Sequence, residues 1–177
     1  MNLEDRIVVR DETGSNEEKS LVHAIQEAAF ARADEADLVD ALCCEGVVLV
    51  SLVAELLKQG KTLAVGHILF TRMGIESVSG VVPAVALAPV AVLPEHQGQG
   101  IGSRLIRYGL ETLARQGERI VLVLGHPEYY QRFGFSPAKA RHLESPFPPD
   151  AYMALELAPG ALDGIEGKVR YPAAFGL

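Results

Sequence analysis

The stretch that most restricts what this chain can fold into is Val90-Ala91-Val92-Leu93-Pro94-Glu95-His96-Gln97-Gly98-Gln99-Gly100-Ile101-Gly102. A β-branched apolar run stops at Pro94. Glycines then alternate at Gly98, Gly100 and Gly102, and a helical pattern begins. Glycine permits φ values that other residues resist and lets the backbone approach a ligand closely. The start of a helix leaves several N–H groups without intrahelical acceptors, with the positive end of the helix dipole behind them. A glycine-rich turn from strand to helix is therefore suited to an anion, most often a phosphate.

Spacing narrows the ligand. A P-loop closes its glycines with Lys-Ser or Lys-Thr, whereas Gly102 is followed by Ser103-Arg104. A dinucleotide fingerprint needs glycine where Ser103 stands, and it usually opens a chain's first βαβ unit rather than lying past its middle. Downstream, Ile101, Leu105, Ile106, Leu110, Leu113 and Ala114 recur at helical spacing. Arg104, Arg107, Glu111 and Arg115 take the other face, with Glu111 and Arg115 at i,i+4. Gln116-Gly117 is a helix stop, and Ile120–Leu124 is a continuous apolar run, as expected of a strand buried on both faces. Strand, helix and strand form one βαβ unit with its loop at the carboxyl end of the first strand.

The order of elements around this unit is also readable. Arg6–Arg10 is a short first strand. Ser15-Asn16-Glu17-Glu18 is a capping-box pattern ahead of an apolar stripe at Leu21, Val22, Ile25, Ala28 and Ala29. A second helix is predicted from about Glu35 to Cys44, capped by Asp34, with Leu38, Val39 and Leu42 inward and Gly46 at its end. Val47–Leu57 and Thr62–Arg72 are β-rich runs joined by the hairpin signal Lys58-Gln59-Gly60-Lys61, and Gly74–Gly80 reads as a polar loop. The fourth strand runs from about Ala84 to Val92. Pro89 inside it cannot donate to a ladder, so it requires a bulge or an edge position. The remainder holds a loop over Ser136–Asp150, a strand over Tyr152–Leu157 and a last strand at Lys168–Tyr171. The apolar tail Pro172–Leu177 could dock on its own core or on a second copy, as in a homodimer.

Gln97-Gly98-Gln99-Gly100-Ile101-Gly102 matches the Gln/Arg-x-x-Gly-x-Gly/Ala pattern and closely resembles the acyl-CoA pyrophosphate loop of the GNAT superfamily of N-acetyltransferases. Behind it, Tyr130, Gly134 and Phe135 resemble that superfamily's Tyr-x-x-x-Gly-Phe signature, at the expected distance. The resemblance extends over most of the chain and implies one GNAT-type domain over residues 1–177. The implied fold is α/β, with a mixed, mostly antiparallel central sheet whose fourth and fifth strands splay, flanked by helices. It also turns the awkward Pro89 into the bulge that such a fold carries in its central strand. The implied activity is transfer of an acetyl group from acetyl-CoA to an amine, directly, in a ternary complex.

The same resemblance assigns residues. Gln97, Gly98, Gln99, Gly100, Ile101, Gly102 and Ser103 would hold the pyrophosphate. The backbone of Val90, Ala91 and Val92 would pair with the pantetheine arm, and the Val90 N–H could bind the thioester oxygen. Tyr130 takes the position whose phenol protonates the departing thiolate, with a core aromatic as its other reading. Tyr129 is the second choice. His126, Glu45, Glu55 and His67 are candidate bases without a signature, and none is preferred. The two predicted N-terminal helices would form one wall of the acceptor site. A different class of function stays open: a CoA-binding regulator or scaffold without catalysis.

Composition sets limits on partners. Among 177 residues, 23 acidic against 16 basic give a formal charge of −7, which argues against a nucleic-acid scaffold and fits a cationic acceptor. Cys43 and Cys44 are adjacent, and the five histidines show no metal spacing. The thiols read as buried and structural, the histidines as surface residues, and the setting as reducing and cytoplasmic. Met1–Arg6 lacks a basic segment followed by an apolar one, and Pro83 and Pro89 break the longest apolar stretch, so neither a secretory signal nor a membrane span is expected.

Overall fold

A computed structural model describes residues 6–177; the opening segment, read above as carrying no signal, lies outside them but for Arg6. Among the described residues, one sheet runs β1 (Arg6–Asp11), β2 (Val48–Lys58), β3 (Lys61–Ser77), β4 (Gly80–Val92), β5 (Ile120–Leu124) and β7 (Tyr152–Glu156) in spatial order. The short strand β8 (Gly167–Arg170) pairs with the far end of β3 and with β6 (Leu143–Glu144). Neighbours along the main path are antiparallel except β4 and β5, which are parallel. No described helix is long and apolar enough to cross a membrane.

The hairpin between β2 and β3 turns at Gln59 and Gly60, both at positive φ (49° and 73°). That is the type I′ geometry whose twist suits a two-residue hairpin. Gly74–Gly80 is not the polar loop its sequence suggests: β3 continues to Ser77 and β4 begins at Gly80. Ile75 is fully buried there among Met73, Ala84 and Val169, and this burial outweighs the polar look of the segment.

The bulge required by Pro89 is present. Ile68 pairs with Val90 and Phe70 with Leu87, so one residue of β3 faces both Ala88 and Pro89 of β4. On the other edge of β4, the parallel ladder to β5 consists of Val85 with Val121 and Ala86 with Leu122, and it stops where the bulge begins. From Leu87 to Val92 the strand continues without β5 beside it, which is the splayed arrangement expected.

Helix α3 (Ile101–Arg115) packs Ile101, Leu105, Ile106, Leu110 and Leu113 on one face of the sheet; Ala114, expected inward, is exposed. Gly109 is buried in their place because Phe70 fills the space that a Cβ there would need, 2.2 Å away. Arg115 donates to Thr112 rather than reaching Glu111.

The opposite face is covered by α1 (Asn16–Phe30) and α2 (Asp34–Glu45). The α1 stripe is rotated from the apolar positions named above. Leu21 and Ala28 are exposed, while Glu18, Val22, Ile25 and Gln26 are buried. The rotation follows from buried polar partners: Gln26 bonds His67 Nδ1 at 2.8 Å, and His67 Nε2 bonds Ser51 at 2.9 Å. Asp34 is the first residue of α2 and gives no cap; the preceding Ala33 makes no side-chain cap bond either. The C-terminal tail docks on its own chain, where the Glu45 carboxylate accepts from the Ala173 and Ala174 N–H groups at 2.9 and 3.0 Å.

Ser15 caps α1 as the pattern requires, accepting from Glu18 N–H at 3.2 Å. The Glu18 carboxylate reaches past the cap to the Thr13 N–H and to Arg10, which also bonds Glu55, tying α1 to β1 and β2. Burial works to raise the Glu18 carboxyl, but Arg10 and Thr13 outweigh it and leave it at about 2, below the ordinary 4.5. A carboxyl lowered on folding stabilises fully above its unfolded value and loses that contribution as pH falls through its folded one. Glu18→Gln should therefore lower stability at neutral pH by about 1–3 kcal/mol. It should also flatten the loss of stability between about pH 4.5 and pH 2. Urea titrations across that range check both, and an unchanged profile would contradict the role given to Glu18.

Candidate functional site

The glycine-rich turn follows β4 through a single 3₁₀ turn at Pro94–His96 and enters α3. Gly98 and Gly100 hold positive φ (72° and 79°), Gly100 being the residue that caps α3. No side chain caps this end, so the first N–H groups of α3 are left for another partner. A cleft of about 640 Å³ opens over them. Of the sequence-derived residues, Val90, Val92, Gln97, Gly98, Gly100, Ile101, Gly102 and Ser103 line it. Ala91 is buried in the sheet opposite His67, and Gln99 points back to donate to the Glu95 carbonyl at 3.3 Å.

The β4 backbone bordering this cleft has a definite direction. Leu93 N–H donates to Val65 of β3 at 2.9 Å, while the Val92 carbonyl accepts from the Gln97 side chain at 3.0 Å. Backbone groups of successive strand residues alternate in direction, so those of Val90 and Val92 turn from β3 toward the edge that β5 leaves open.

The far wall of the cleft comes from the segment after β5. His126, Tyr129 and Arg132 line it, together with His96 from the turn. The Tyr129 hydroxyl lies 2.9 Å from where a Cβ on Gly102 would stand, so glycine keeps this approach open. Arg132 sits over the Tyr129 ring at 4.7 Å, holding a cation at the cleft. Arg132 was not singled out in the sequence, although it falls inside the Tyr-x-x-x-Gly-Phe stretch, two residues beyond Tyr130.

Tyr130 faces a second cavity. Helix α4 (Pro127–Tyr130) starts directly after β5, and its last residue turns inward, 8% exposed. Its ring meets Tyr129 and Phe135 edge-on at 5.1 and 5.8 Å and fills the space beside Gly125, where a Cβ would lie 2.3 Å from it. Burial, with Tyr129 adjacent, pushes the phenol up to about 12, so at neutral pH it is protonated and can donate. The cavity beside it measures about 370 Å³ and lies between the ends of α1 and α2, the bulged part of β4 and the C-terminal tail. Val90 lines both cavities, one on each side of the splayed strand.

The candidate bases are dispersed. His126 is exposed at the cleft. Glu55 is held by Arg10, Glu45 by the tail, and His67 is fully buried between Gln26 and Ser51, contrary to its reading as a surface residue. Cys44 is exposed rather than buried. Cys43 is half-buried, with burial first among the causes that push its thiol up. No cluster of three or more potential metal ligands occurs among the described residues.

An open sheet whose parallel central strands part, with a glycine-rich turn at the mouth of the gap, defines the acyl-CoA N-acyltransferase type of fold. Residues 12–138 match the family model described as an acetyltransferase (GNAT) domain, and the chain belongs to that family. It is 41% identical over 128 residues to the uncharacterized N-acetyltransferase YjhQ of Escherichia coli, covering 72% of this chain and 70% of that one. To the uncharacterized N-acetyltransferase YhbS of the same organism it is 31% identical over 156 residues, 87% of this chain and 90% of that one. The crystal structure of E. coli YhbS in complex with CoA superposes with a TM-score of 0.86 at 29% identity, covering 100% of this chain and 96% of that one. A GNAT family acetyltransferase of Brucella melitensis in complex with acetyl-CoA gives 0.76 at 33% identity, over 96% and 98% of the two chains.

Proposed function

We propose that this chain is an N-acetyltransferase acting as one domain, moving an acetyl group from acetyl-CoA to an amine by direct transfer in a ternary complex. The observation that carries the reading is the pair of cavities meeting at Val90, one over the glycine-rich turn and the other beside Tyr130. Relatives crystallised with CoA or acetyl-CoA support the donor. Cys43 and Cys44, both unpaired, suit a reducing, cytoplasmic setting, and the raised Cys43 thiol is a poor nucleophile for an acyl-enzyme.

In this reading the first N–H groups of α3, with the loop from Gln97 to Ser103, hold the pyrophosphate, and Arg132 adds a positive charge at the rim. The backbone of the strand from Val90 to Val92 takes the pantetheine arm. Acetyl-CoA supplies an acyl group already activated as a thioester, so alignment accounts for much of the acceleration. The amine nitrogen forms its bond to the carbonyl carbon while the carbon–sulfur bond breaks and its electron pair leaves on sulfur. Val90 N–H faces the developing oxygen charge. The ammonium's first proton passes to water before attack, and the Tyr130 phenol gives its proton to the departing sulfur. The second proton, shed by the nitrogen as it becomes an amide, returns through water to the phenolate and restores the phenol. Burial that weakens the phenol as an acid also strips solvent from a thiolate beside it, which raises that sulfur's proton affinity as well.

Two substitutions test the parts separately. At Gly100 a new Cβ meets open space but the positive φ of 79° strains any side chain, so Gly100→Asn serves as the uncharged control with the same strain, while Gly100→Asp also sets a negative charge at the N-terminus of α3. Calorimetry should show acetyl-CoA affinity lowered at least tenfold relative to that control, about 1.4 kcal/mol; unchanged affinity would remove the loop from the site. Tyr130→Phe keeps the ring packing and deletes the donor, so kcat should fall by about 10²–10⁴-fold with acetyl-CoA affinity and Tm nearly unchanged. Tyr129→Phe is the control for a neighbouring phenol. Wild-type turnover in Tyr130→Phe, with chemistry limiting, would make Tyr130 a core residue.

A further inference from the structure

Resting on that reading, the 370 Å³ cavity carries information about the acceptor. Its walls are aromatic and aliphatic. Phe147 and Tyr171 meet edge-on at 5.7 Å, Tyr171 and Phe175 at 4.9 Å, so three rings form one continuous face. Phe30 from the end of α1 and Leu38 from α2 also line it, with Leu87 and Pro89 supplied by the bulged strand. Among the described residues that line the cavity, Glu35 has the only charged side chain.

Glu35 stands in the first turn of α2 with its side chain 15% exposed. Arg32 braces it through two N–H groups, one of them at 2.9 Å to Oε2; the arginine side chain is itself 60% exposed and also lies 3.8 Å from Asp34. A carboxylate offers about four lone-pair sites and a bidentate arginine occupies two, so Glu35 retains acceptor capacity for a second donor. An ammonium inside a cavity with mostly apolar walls, whose other polar side chains are the uncharged phenols of Tyr130 and Tyr171, needs such a partner, because an unpaired buried charge is costly. One carboxylate provides for one ammonium. A polyamine or aminoglycoside would bring further charges that these walls leave unpaired, and an extended peptide would bring backbone groups with the same problem.

Size narrows the body that carries the amine. A cavity of about 150 Å³ is filled by benzene, so 370 Å³ accommodates one aromatic ring system with a short alkyl arm. We propose that the acceptor is a primary amine on a short linker from an aromatic body, an arylalkylamine, with the three-ring wall receiving the body and Glu35 the ammonium. Once at the strand edge, the amine loses its proton to water and attacks.

The test compares kcat/KM, by release of CoA thiol, for phenethylamine, tryptamine, spermidine and the tripeptide Gly-Lys-Gly. Phenethylamine and tryptamine are expected to exceed the other two by at least 100-fold. Glu35→Gln should raise KM for phenethylamine at least tenfold while acetyl-CoA affinity and Tm stay near wild type. Phe175→Ala, which opens the ring wall, should reduce the preference for the aromatic amines. Equal or better turnover of spermidine or the tripeptide overturns the acceptor class and leaves the transferase standing, as does acetyl-CoA binding without phenethylamine turnover. Failure to bind acetyl-CoA, with no thiol release from any acceptor, defeats the transferase reading instead. In that event calorimetric binding of phenethylamine still judges the cavity: binding weakened by Glu35→Gln supports the assignment, and no binding to wild type overturns it.

Discussion

The arrangement of this molecule depends on an incomplete ladder in the middle of its sheet. Pro89 has no N–H to give, and the extra residue beside it bends β4 away from the regular register with β3. The parallel pairing to β5 ends at Ala86 and Leu122, immediately before the bulge. A strand in the centre of a sheet ordinarily spends all its backbone groups on two neighbours. Here the carboxyl-terminal half of β4 has one neighbour, and its other edge is available. That edge is where the two cavities meet.

Everything around the edge is arranged by elements packed on complete ladders. The tight packing of Phe70 against Gly109 seats α3 on β3, and this fixes where the glycine-rich turn must end. The β5 strand, held by five pairs to β7, delivers α4 so that Tyr129 and Tyr130 diverge, one into each cavity. On the opposite face, Arg10 and Glu18 fix α1 against the sheet. Glu45 pins the tail whose Phe175 completes the aromatic wall. The ends of α1 and α2 and the C-terminal tail thus shape one cavity, while the other is shaped by the turn between β4 and α3 and the segment after β5.

The sequence made some of this legible for identifiable reasons. The loop, the amphipathic helix behind it and the apolar β5 each carry a local signal strong enough to place them without neighbours, and Pro89 narrows β4 to a bulge or an edge position because no regular central strand tolerates it. Sequence pattern and structure part where tertiary burial overrides local polarity. Gly74–Gly80 reads as a polar loop, yet Ile75 within it is buried against β8, and the α1 stripe turns toward Gln26 and Glu18 because they meet His67 and Arg10. Arg132 and Glu35 have no periodic or motif signature of their own. Their positions follow from three-dimensional packing, and nothing in one dimension distinguishes them from other surface charges. Likewise, no pattern indicated that Val90 would border two cavities at once.

In the proposed reaction, donor and acceptor meet at the free edge of β4. A crystal structure of the chain with bound CoA tests it most directly. The pyrophosphate should sit on the N–H groups following Gly98, the pantetheine arm should run between β4 and β5, and the sulfur should come to rest beside Val90, facing Tyr130. CoA bound away from that edge, or with its thiol directed away from the 370 Å³ cavity, would contradict it.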